Sequence, residues 1–353
     1  MIDGRAVAAL AAGAGVFGGG GGGDPGLSEM LAAHAVALHG PVPLVSLQDL
    51  DGDALLVPIA YVGATAVIQE KLPNGIEGDL IKEWMERLLG RPVAAFMSAE
   101  LGGLNGVIPV AWCARAGLPM VDADLMARAF PELQMVTPTL HGQEISPVVA
   151  VDERGNVGVF TTITNEWAEK LVRATAVAMG GTATVGVYPM TVADARRVAV
   201  PGSISRSIEV GRALLASSHD PTAELVERAG AVRLIEGKLI DVHRRTKDGW
   251  PVGSAAIEGT GPDRGDVLRI EFQNENLIAI HNGEPVATVP DIITVVDIHT
   301  GRPVVTEILR YGQRVTVIAL PCDRIWRTDR GLELAGPRRF GYDLDYLPLE
   351  SRV

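Results

Sequence analysis

Two aspartates and an arginine stand close together where the sequence predicts the end of a strand. Asp122 and Asp124 follow the apolar pair Met120-Val121, and Arg128 stands four residues after Asp124. Carboxylates two residues apart point the same way on an extended chain, and α/β sheets bind ligands at the carboxyl ends of strands. We expect Asp122 and Asp124 to act as acid and base or to hold a metal. Alternatively, Asp124 caps a short helix and pairs with Arg128.

A second polar group follows the strand predicted at residues 93–97. Glu100 and Asn105 flank the pair Gly102-Gly103, directly before a predicted helix. This position is the same end of the same sheet, so we expect Glu100 to be catalytic and Asn105 to bind substrate. A turn that starts a helix, with Asn105 near the cap, explains the pattern equally well.

Six consecutive glycines, Gly18 to Gly23, separate two predicted helices and are followed by Asp24 and Pro25. Such a loop suits a close approach of backbone to a ligand, and its N–H groups would lie at a helix N-terminus, where anions bind. Asp24 repels a phosphate and no Gly-Lys-Ser/Thr follows, so no nucleotide cofactor is expected. We expect substrate contacts from Gly20, Gly21, Gly22 and Asp24. The alternative is a flexible surface loop.

Cys322 follows the strand predicted at residues 314–320 and stands between Pro321 and Asp323. An exposed thiol here would be a nucleophile or a soft metal ligand, whereas a buried thiol would be inert. No pair of histidines or cysteines has zinc-finger spacing. The candidate ligands of one divalent metal, such as zinc, are Asp122, Asp124, Cys322 and His243.

The elements that position these residues change character along the chain. Up to residue 229, apolar strands alternate with amphipathic helices, as in the helix predicted at residues 76–89, and this alternation predicts an α/β layered domain. From Gly230 onward, short strands alternate with turns such as Lys247-Asp248-Gly249. Residues 230–353 are therefore predicted to form a smaller all-β domain, barrel or sandwich-like. We expect its irregular tail, residues 336–349, to pack across the domain junction.

The composition and net charge of the chain restrict the classes of partner that we expect. The chain has 353 residues, 47% hydrophobic and 21% charged, with a net charge of −12. The acidic balance argues against nucleic acid, and no apolar run is long enough to span a membrane. Two distant cysteines and no targeting segment favour a reduced cytoplasmic setting. The partner expected is a small heterocyclic molecule, and the sequence leaves open whether the chain forms a homo-oligomer.

Several motifs in fixed order resemble the S-methyl-thiohydantoin desulfurase-like family. The resemblance covers nearly the whole chain and implies an N-terminal α/β domain, a C-terminal β domain and a link to hydantoin utilisation. One departure is Ala127, where a glycine is expected in many members. The segments that carry the resemblance are Gly19 to Pro25, Val121 to Glu132, Gln273 to Leu277, Pro290-Asp291-Ile292, Leu309 to Gly312, Trp326-Arg327-Thr328 and Gly336 to Asp343.

The resemblance implies an enzyme that removes sulfur from a 2-thioxo- or S-methylthio-imidazolidinone ring and releases the hydantoin with sulfide or methanethiol. The preferred substrate is the thiohydantoin propionate of ergothioneine degradation. Water or Cys322 would attack the ring carbon, an aspartate would move the protons, and Arg128 or Arg338 would clamp the substrate carboxylate. The alternatives are an amidohydrolase that opens the ring C–N bond and a non-catalytic binding subunit. The sequence does not separate the thioxo from the S-methyl substrate.

Overall fold

The computed structural model describes residues 1–64, 67, 70–216, 221–247 and 250–352. The turn predicted at Lys247-Asp248-Gly249 therefore lies partly outside the described residues. No helix of the described part has the length and apolar character that crossing a membrane requires. The helices are α1 (Gly4–Phe17), α2 (Pro25–His39), α3 (Glu77–Leu89), α4 (Pro109–Ala116), α5 (Thr137–Leu140), α6 (Asn165–Ala178), α7 (Val192–Val198), α8 (Ser203–Ala216), α9 (Pro221–Ala229) and α10 (Asp329–Ala335).

The first sheet has eight strands and belongs to an α/β layered domain, as predicted. Its path runs β1-β4-β3-β2-β8-β6-β7, with β9 on β2; the first four strands are parallel and the others antiparallel. Because successive side chains alternate, Val57 and Ile59 of β2 pack with α3 and α4, and Leu56 and Ala60 pack with α6 on the other face. The strands are β1 (Leu44–Val45), β2 (Leu55–Gly63), β3 (Val93–Ser98), β4 (Met120–Val121), β6 (Val148–Val151), β7 (Val157–Phe160), β8 (Thr182–Gly186) and β9 (Met190–Thr191), and a separate pair joins β5 (Ala123–Asp124) to β10 (Val200–Pro201).

The second sheet has eight antiparallel strands in the order β15-β14-β13-β12-β11-β18-β16-β17. Asn276 Nδ2 of β14 donates a hydrogen bond to Ile293 O of β16 at 2.9 Å, so the sheet curls and brings its two ends near each other. The predicted all-β domain is confirmed, and a sandwich fits it; no strand pairing among the described residues closes it into a barrel. The strands are β11 (Val232–Lys247), β12 (Trp250–Gly259), β13 (Val267–Gln273), β14 (Glu275–His281), β15 (Glu284–Thr288), β16 (Ile292–Asp297), β17 (Pro303–Val304) and β18 (Arg314–Leu320).

Helix α1 joins the two parts of the molecule. It packs closely on α8, where a Cβ added to Gly13 would overlap the carbonyl of Ser207. At its C-terminal end, Val16 O accepts a hydrogen bond from Thr294 Oγ1 of β16 at 2.7 Å. The glycine loop that follows α1 is therefore held where the α/β domain meets the second sheet.

Candidate functional site

A cleft opens beside the carboxyl ends of β2 and β3, where the glycine loop and the second sheet meet the α/β domain. Its walls include residues 60–64 and 130–133, the carboxyl side chains of Glu100 and Glu275, and the backbone of Gly22 and Gly23. The cavity volume is about 60 Å³, a few times what one enclosed water requires. A cleft of this size suits a small molecule.

The glycine loop is hydrogen-bonded on both sides. Gly19 O accepts from Asn276 N at 2.8 Å, Gly20 O from Thr306 N at 2.9 Å, and Gly22 O from Leu104 N at 2.8 Å. The first two partners belong to the second domain and the third to the first domain. The loop is therefore a fixed junction between the domains rather than a flexible linker.

Close approach explains the glycines. A Cβ on Gly20 would lie 2.6 Å from Asn276 Nδ2, one on Gly21 would overlap Glu275 Oε1, and one on Gly22 would lie 2.9 Å from Glu100 Oε1. Gly20 and Gly22 also have φ values of +89° and +72°, which L side chains rarely adopt.

The expected anion site at the N-terminus of α2 is not formed. Asp24 caps this helix by accepting a hydrogen bond from Gly26 N at 2.8 Å, and Pro25 occupies the first turn without an N–H to donate. Of the loop residues predicted to bind substrate, Gly22 lines the cleft, whereas Gly20, Gly21 and Asp24 lie outside its lining.

Glu100 and Asn105 form a connected pair in the cleft wall. Ser98 Oγ, at the end of β3, donates to the carbonyl of Glu100 at 2.6 Å and so shapes this turn. Asn105 Nδ2 donates to Glu100 Oε2 at 2.9 Å, and Asn105 also bridges the backbone N and O of Tyr61. Glu100 Oε1 has no hydrogen-bond partner among the described residues. Burial, together with the nearby charge of Glu275, raises the pKa of Glu100 well above its ordinary value.

Glu275 is the second carboxyl in the cleft, and the motif analysis did not single it out as functional. It opens β14 directly after Asn274, whose φ of +63° makes the sharp turn from β13. Its side chain is buried, and neither carboxyl oxygen has a hydrogen-bond partner within the described ranges. Burial raises the pKa of Glu275 to about 8, although Arg128 opposes this shift. The Asn274-Glu275 turn was the available signal, because Asn tolerates a positive φ.

Asp124 organises the turn after β5. Its Oδ2 accepts hydrogen bonds from Leu101 N, Met126 N and Ala127 N at 2.8–2.9 Å. Burial raises the pKa of Asp124 to about 6 against the effect of these N–H groups. Ala127 has a φ of +59°, a conformation that glycine adopts without strain, which explains why glycine is expected there.

Asp122 lies on the other side of this strand end. Its carboxylate accepts from Ser205 N at 2.9 Å and Ser205 Oγ at 2.6 Å, in the first turn of α8. Neither Asp122 nor Asp124 is among the residues that line the cleft. The two aspartates therefore bind neighbouring segments of the chain, whereas Glu100 and Glu275 are the carboxylic residues that both line the cleft and are buried.

Arg128 is fully buried and does not line the cleft. Its guanidinium donates to the carbonyl oxygens of Ala129, Pro290 and Asp291, so it ties the α/β domain to the turn before β16. The other proposed clamp, Arg338, is exposed and pairs with Asp343 and Asp345 of the tail. Neither arginine is among the residues that line the cleft.

Cys322 lies in the second domain and is 8% exposed. Its backbone N donates to Asp291 Oδ1 at 2.8 Å, and Asp291 also accepts from Arg327 and Tyr346. Burial, with the charge of Asp291, raises the pKa of Cys322 to about 12, so the thiol stays protonated at neutral pH. Cys322 is not in the cleft lining.

The four predicted metal ligands are not brought together. His243 is in β11, opposite Ser254 of β12, whereas Asp122 contacts α8. Within the described ranges, no group of three or more His, Cys, Asp or Glu side chains could hold a metal ion. The need for a divalent metal remains a prediction that metal analysis of the purified protein can test.

The mouth of the cleft carries charges that the sequence analysis did not single out. Glu132 accepts a hydrogen bond from Arg339 Nη2 of the tail at 2.7 Å and another from Gln134. Arg173 of α6 also lines the cleft and pairs with Glu169. Phe130 and Met126 also line the cleft and are more buried than Glu132 and Arg173, so the lining combines partly exposed charged groups with buried apolar ones.

Two buried carboxyls in one cleft are suited to acid–base chemistry. Burial and mutual repulsion disfavour negative charge on the pair, so it retains at least one proton at neutral pH. In the singly ionised state, one carboxylate can accept a proton while the other carboxyl donates one. The neighbouring loop backbone and the apolar floor limit water around them, which strengthens electrostatic interactions with a bound molecule.

Comparisons with known proteins cover the whole chain. A family model described as "S-Me-THD-like, N-terminal domain" matches residues 5–162, and one described as "S-Me-THD-like, C-terminal domain" matches residues 163–349. These models meet before α6, whereas the boundary predicted from composition is at Gly230. A crystal structure of a protein from Chromobacterium violaceum shares the fold, with a TM-score of 0.80, 23% identity and coverage of 98% of this chain and 99% of that one. Among curated proteins, none matches significantly.

Proposed function

Because the chain belongs to the S-Me-THD-like family, we propose that it is an enzyme that removes sulfur from a thiohydantoin ring. The observation that carries this proposal is the pair of buried carboxyls, Glu100 and Glu275, in a small cleft. Hydrolysis at a carbon between two ring nitrogens needs a proton acceptor for water and a proton donor for sulfur. The pair supplies both in one place.

The reaction proceeds in two steps. Water adds to the ring carbon that bears sulfur; the ionised carboxylate takes a proton from the water, and the protonated carboxyl gives its proton to the sulfur of a thioxo ring or to the ring nitrogen of an S-methylthio ring. The new hydroxyl then gives its proton to the second carboxylate, the C–S bond breaks, and the first carboxyl protonates the leaving sulfur. The products are the hydantoin and hydrogen sulfide or methanethiol, and both carboxyls return to their starting states.

The surroundings fit a small planar ring. Phe130 and Met126 offer apolar contacts, and Gly22 and Gly23 bring backbone close to the cavity without a side chain between. Asn105 holds one oxygen of Glu100, and the other oxygen has no hydrogen-bond partner among the described residues. We therefore propose that the two glutamates, rather than the aspartates suggested by the motif, transfer the protons.

We further propose that the preferred substrate carries a carboxylate arm, as in the thiohydantoin propionate. Arg173 lines the cleft at its mouth, with a side chain that is 23% exposed. An arginine there can meet the carboxylate while the ring lies deeper, between the glutamates. Arg173 thereby replaces Arg128 and Arg338 in the clamping role.

The decisive assay offers the purified protein both ring types and measures sulfide, methanethiol and the organic product. Sulfide from the thioxo ring, or methanethiol from the S-methylthio ring, with one equivalent of intact hydantoin supports the proposal. A ring-opened product that still contains sulfur would establish an amidohydrolase instead. Ligand binding without any product would indicate a binding subunit.

Metal analysis and chelation complete the assay. If the carboxyl pair alone activates water, turnover persists after prolonged chelation. Loss of turnover on chelation, with recovery on adding zinc, would show that a divalent metal takes part.

A further inference from the structure

Arg128 is a buried cation directly behind the cleft floor. It is fully buried, and its guanidinium carbon lies 4.4 Å from the ring centroid of Phe130, a residue of the cleft wall. Nε donates to Ala129 O at 2.8 Å, and Nη1 donates to the carbonyls of Pro290 and Asp291. These contacts fix the orientation of the guanidinium within the interior.

The third guanidinium nitrogen of Arg128, Nη2, makes no such hydrogen bond. Nη2 has no hydrogen-bond partner among the described residues, and the two oxygens of the buried Glu275 lack one as well. A Cβ built on Gly19 would lie 3.6 Å from Nη2, which places this nitrogen beside the glycine loop that also touches Glu275. A buried donor and a buried acceptor without partners are each costly, so attraction between them is favoured.

The other ionisable groups near Arg128 either have hydrogen-bond donors of their own or are neutral. The carboxylate of Asp291 accepts hydrogen bonds from Cys322 N, Arg327, Tyr346 and Leu349 N. The thiol of Cys322 is neutral, because burial and Asp291 raise its pKa to about 12. The glutamate pair of the cleft is therefore the remaining charge partner for Arg128. The attraction of Arg128 is greater for Glu275 than for Glu100.

We propose that Arg128 is a positioning residue that divides the two catalytic roles. It keeps Glu275 the carboxyl that loses its proton first, so Glu275 takes the proton from water and Glu100 gives its proton to the substrate in the first step. This inference rests on the proposed function. Arg128 is attracted more strongly to Glu275 than to Glu100, so it lowers the proton affinity of Glu275 relative to that of Glu100. The fixed buried guanidinium supplies that difference without contacting the substrate.

The other groups around the pair act in both directions on the two carboxyls. Glu275 faces Arg128 and also Glu307, whose charge opposes its ionisation. Glu100 faces Glu275 and Asp124, both of which disfavour its ionisation, and the Asn105 amide is its hydrogen-bond donor. Asp124 and the weaker attraction to Arg128 favour the protonated form of Glu100, so we expect Glu100 to keep its proton to higher pH.

The test compares Arg128→Met with the conservative Arg128→Lys and records the pH dependence of kcat for sulfide release. Removing the cation should move the acidic limb of the profile upward by at least about one pH unit. Arg128→Lys retains the charge and should keep that limb near its wild-type position even if kcat falls. An unchanged acidic limb in folded Arg128→Met would overturn the proposal.

A second measurement works without turnover and does not depend on Arg128→Met folding. Carbon-13 NMR of the labelled glutamate carboxyls in the wild-type protein follows both sites with pH, and Glu100→Gln and Glu275→Gln assign the signals. As the pH rises, Glu275 should lose its proton before Glu100 does. If Glu100 loses its proton first, the role of Arg128 is refuted. Ordered titration in a protein that releases no sulfide would support the charge arrangement and reject the proposed function alone.

Discussion

Glu100 and Glu275 touch consecutive glycines of one loop, although they belong to different domains. A Cβ on Gly22 would lie 2.9 Å from Glu100 Oε1, and one on Gly21 would overlap Glu275 Oε1. Glu100 follows β3 of the first sheet and Glu275 opens β14 of the second. The proposed acid–base pair therefore depends on the glycine loop, which holds the two domains together.

Replacing either cleft carboxyl should stop the chemistry without unfolding the protein. Glu100→Gln and Glu275→Gln should each lower kcat for sulfide release by at least about 100-fold, because the amide can neither accept nor release the proton. The matched control is Glu77→Gln. Glu77 is also buried and has a raised pKa, but it holds the turn before α3 and lies outside the cleft lining. Comparable rates in all three variants would exclude the pair from catalysis.

The pH dependence of folding stability should reveal the raised pKa of Glu275. Its pKa is raised from 4.5 to about 8, so between these values the folded state binds more protons than the unfolded state. Folding stability contributed by this group is therefore lost as pH rises through that window. Glu275→Gln removes the effect, so its Tm relative to wild type should increase from pH 5 to pH 9. A constant difference in Tm across this range would contradict the raised pKa.

A substitution at Gly21 tests the close contact between the glycine loop and Glu275, because Gly21 does not have a positive φ. In Gly21→Ala the new methyl group overlaps the carboxyl of Glu275, so we expect a loss of about 1–3 kcal/mol in the free energy of unfolding and lower turnover. Gly4→Ala is the matched control, because no atom lies within 4 Å of its added Cβ and the position begins α1. Denaturant unfolding of both variants checks this. Equal stability of the two would mean that the loop adjusts freely.

Cys322 should be dispensable for turnover. Its thiol is buried and protonated, with a pKa of about 12, so it is a poor nucleophile at neutral pH. We expect Cys322→Ala to keep kcat within about threefold while the free energy of unfolding falls by about 1 kcal/mol. Iodoacetamide should modify native Cys322 as slowly as the fully buried Cys113. Rapid alkylation, with protection by substrate and loss of activity, would restore the thiol as the nucleophile.

Sequence spacing identified several of the cleft residues that the first domain contributes. Glu100 and Asn105 stand close together after a strand, and local spacing was enough to place them at the carboxyl end of the sheet. The glycine run was also readable, because only a tightly packed or strained backbone requires so many residues without a Cβ. What the run contacts was not readable, since Asn276 and Thr306 lie far away along the chain.

The order of an α/β domain and a β domain follows from hydrophobic periodicity and turn residues, which are local properties that the sequence alone determined. The tertiary structure decided which acids share the cleft. Asp122 and Asp124 looked catalytic by spacing, yet they hold backbone N–H groups, whereas Glu275 reaches the cleft from the other domain. The reason is physical: the proton affinity of a carboxyl depends on burial and on neighbouring charges, and these arise from contacts between segments that sequence spacing does not record.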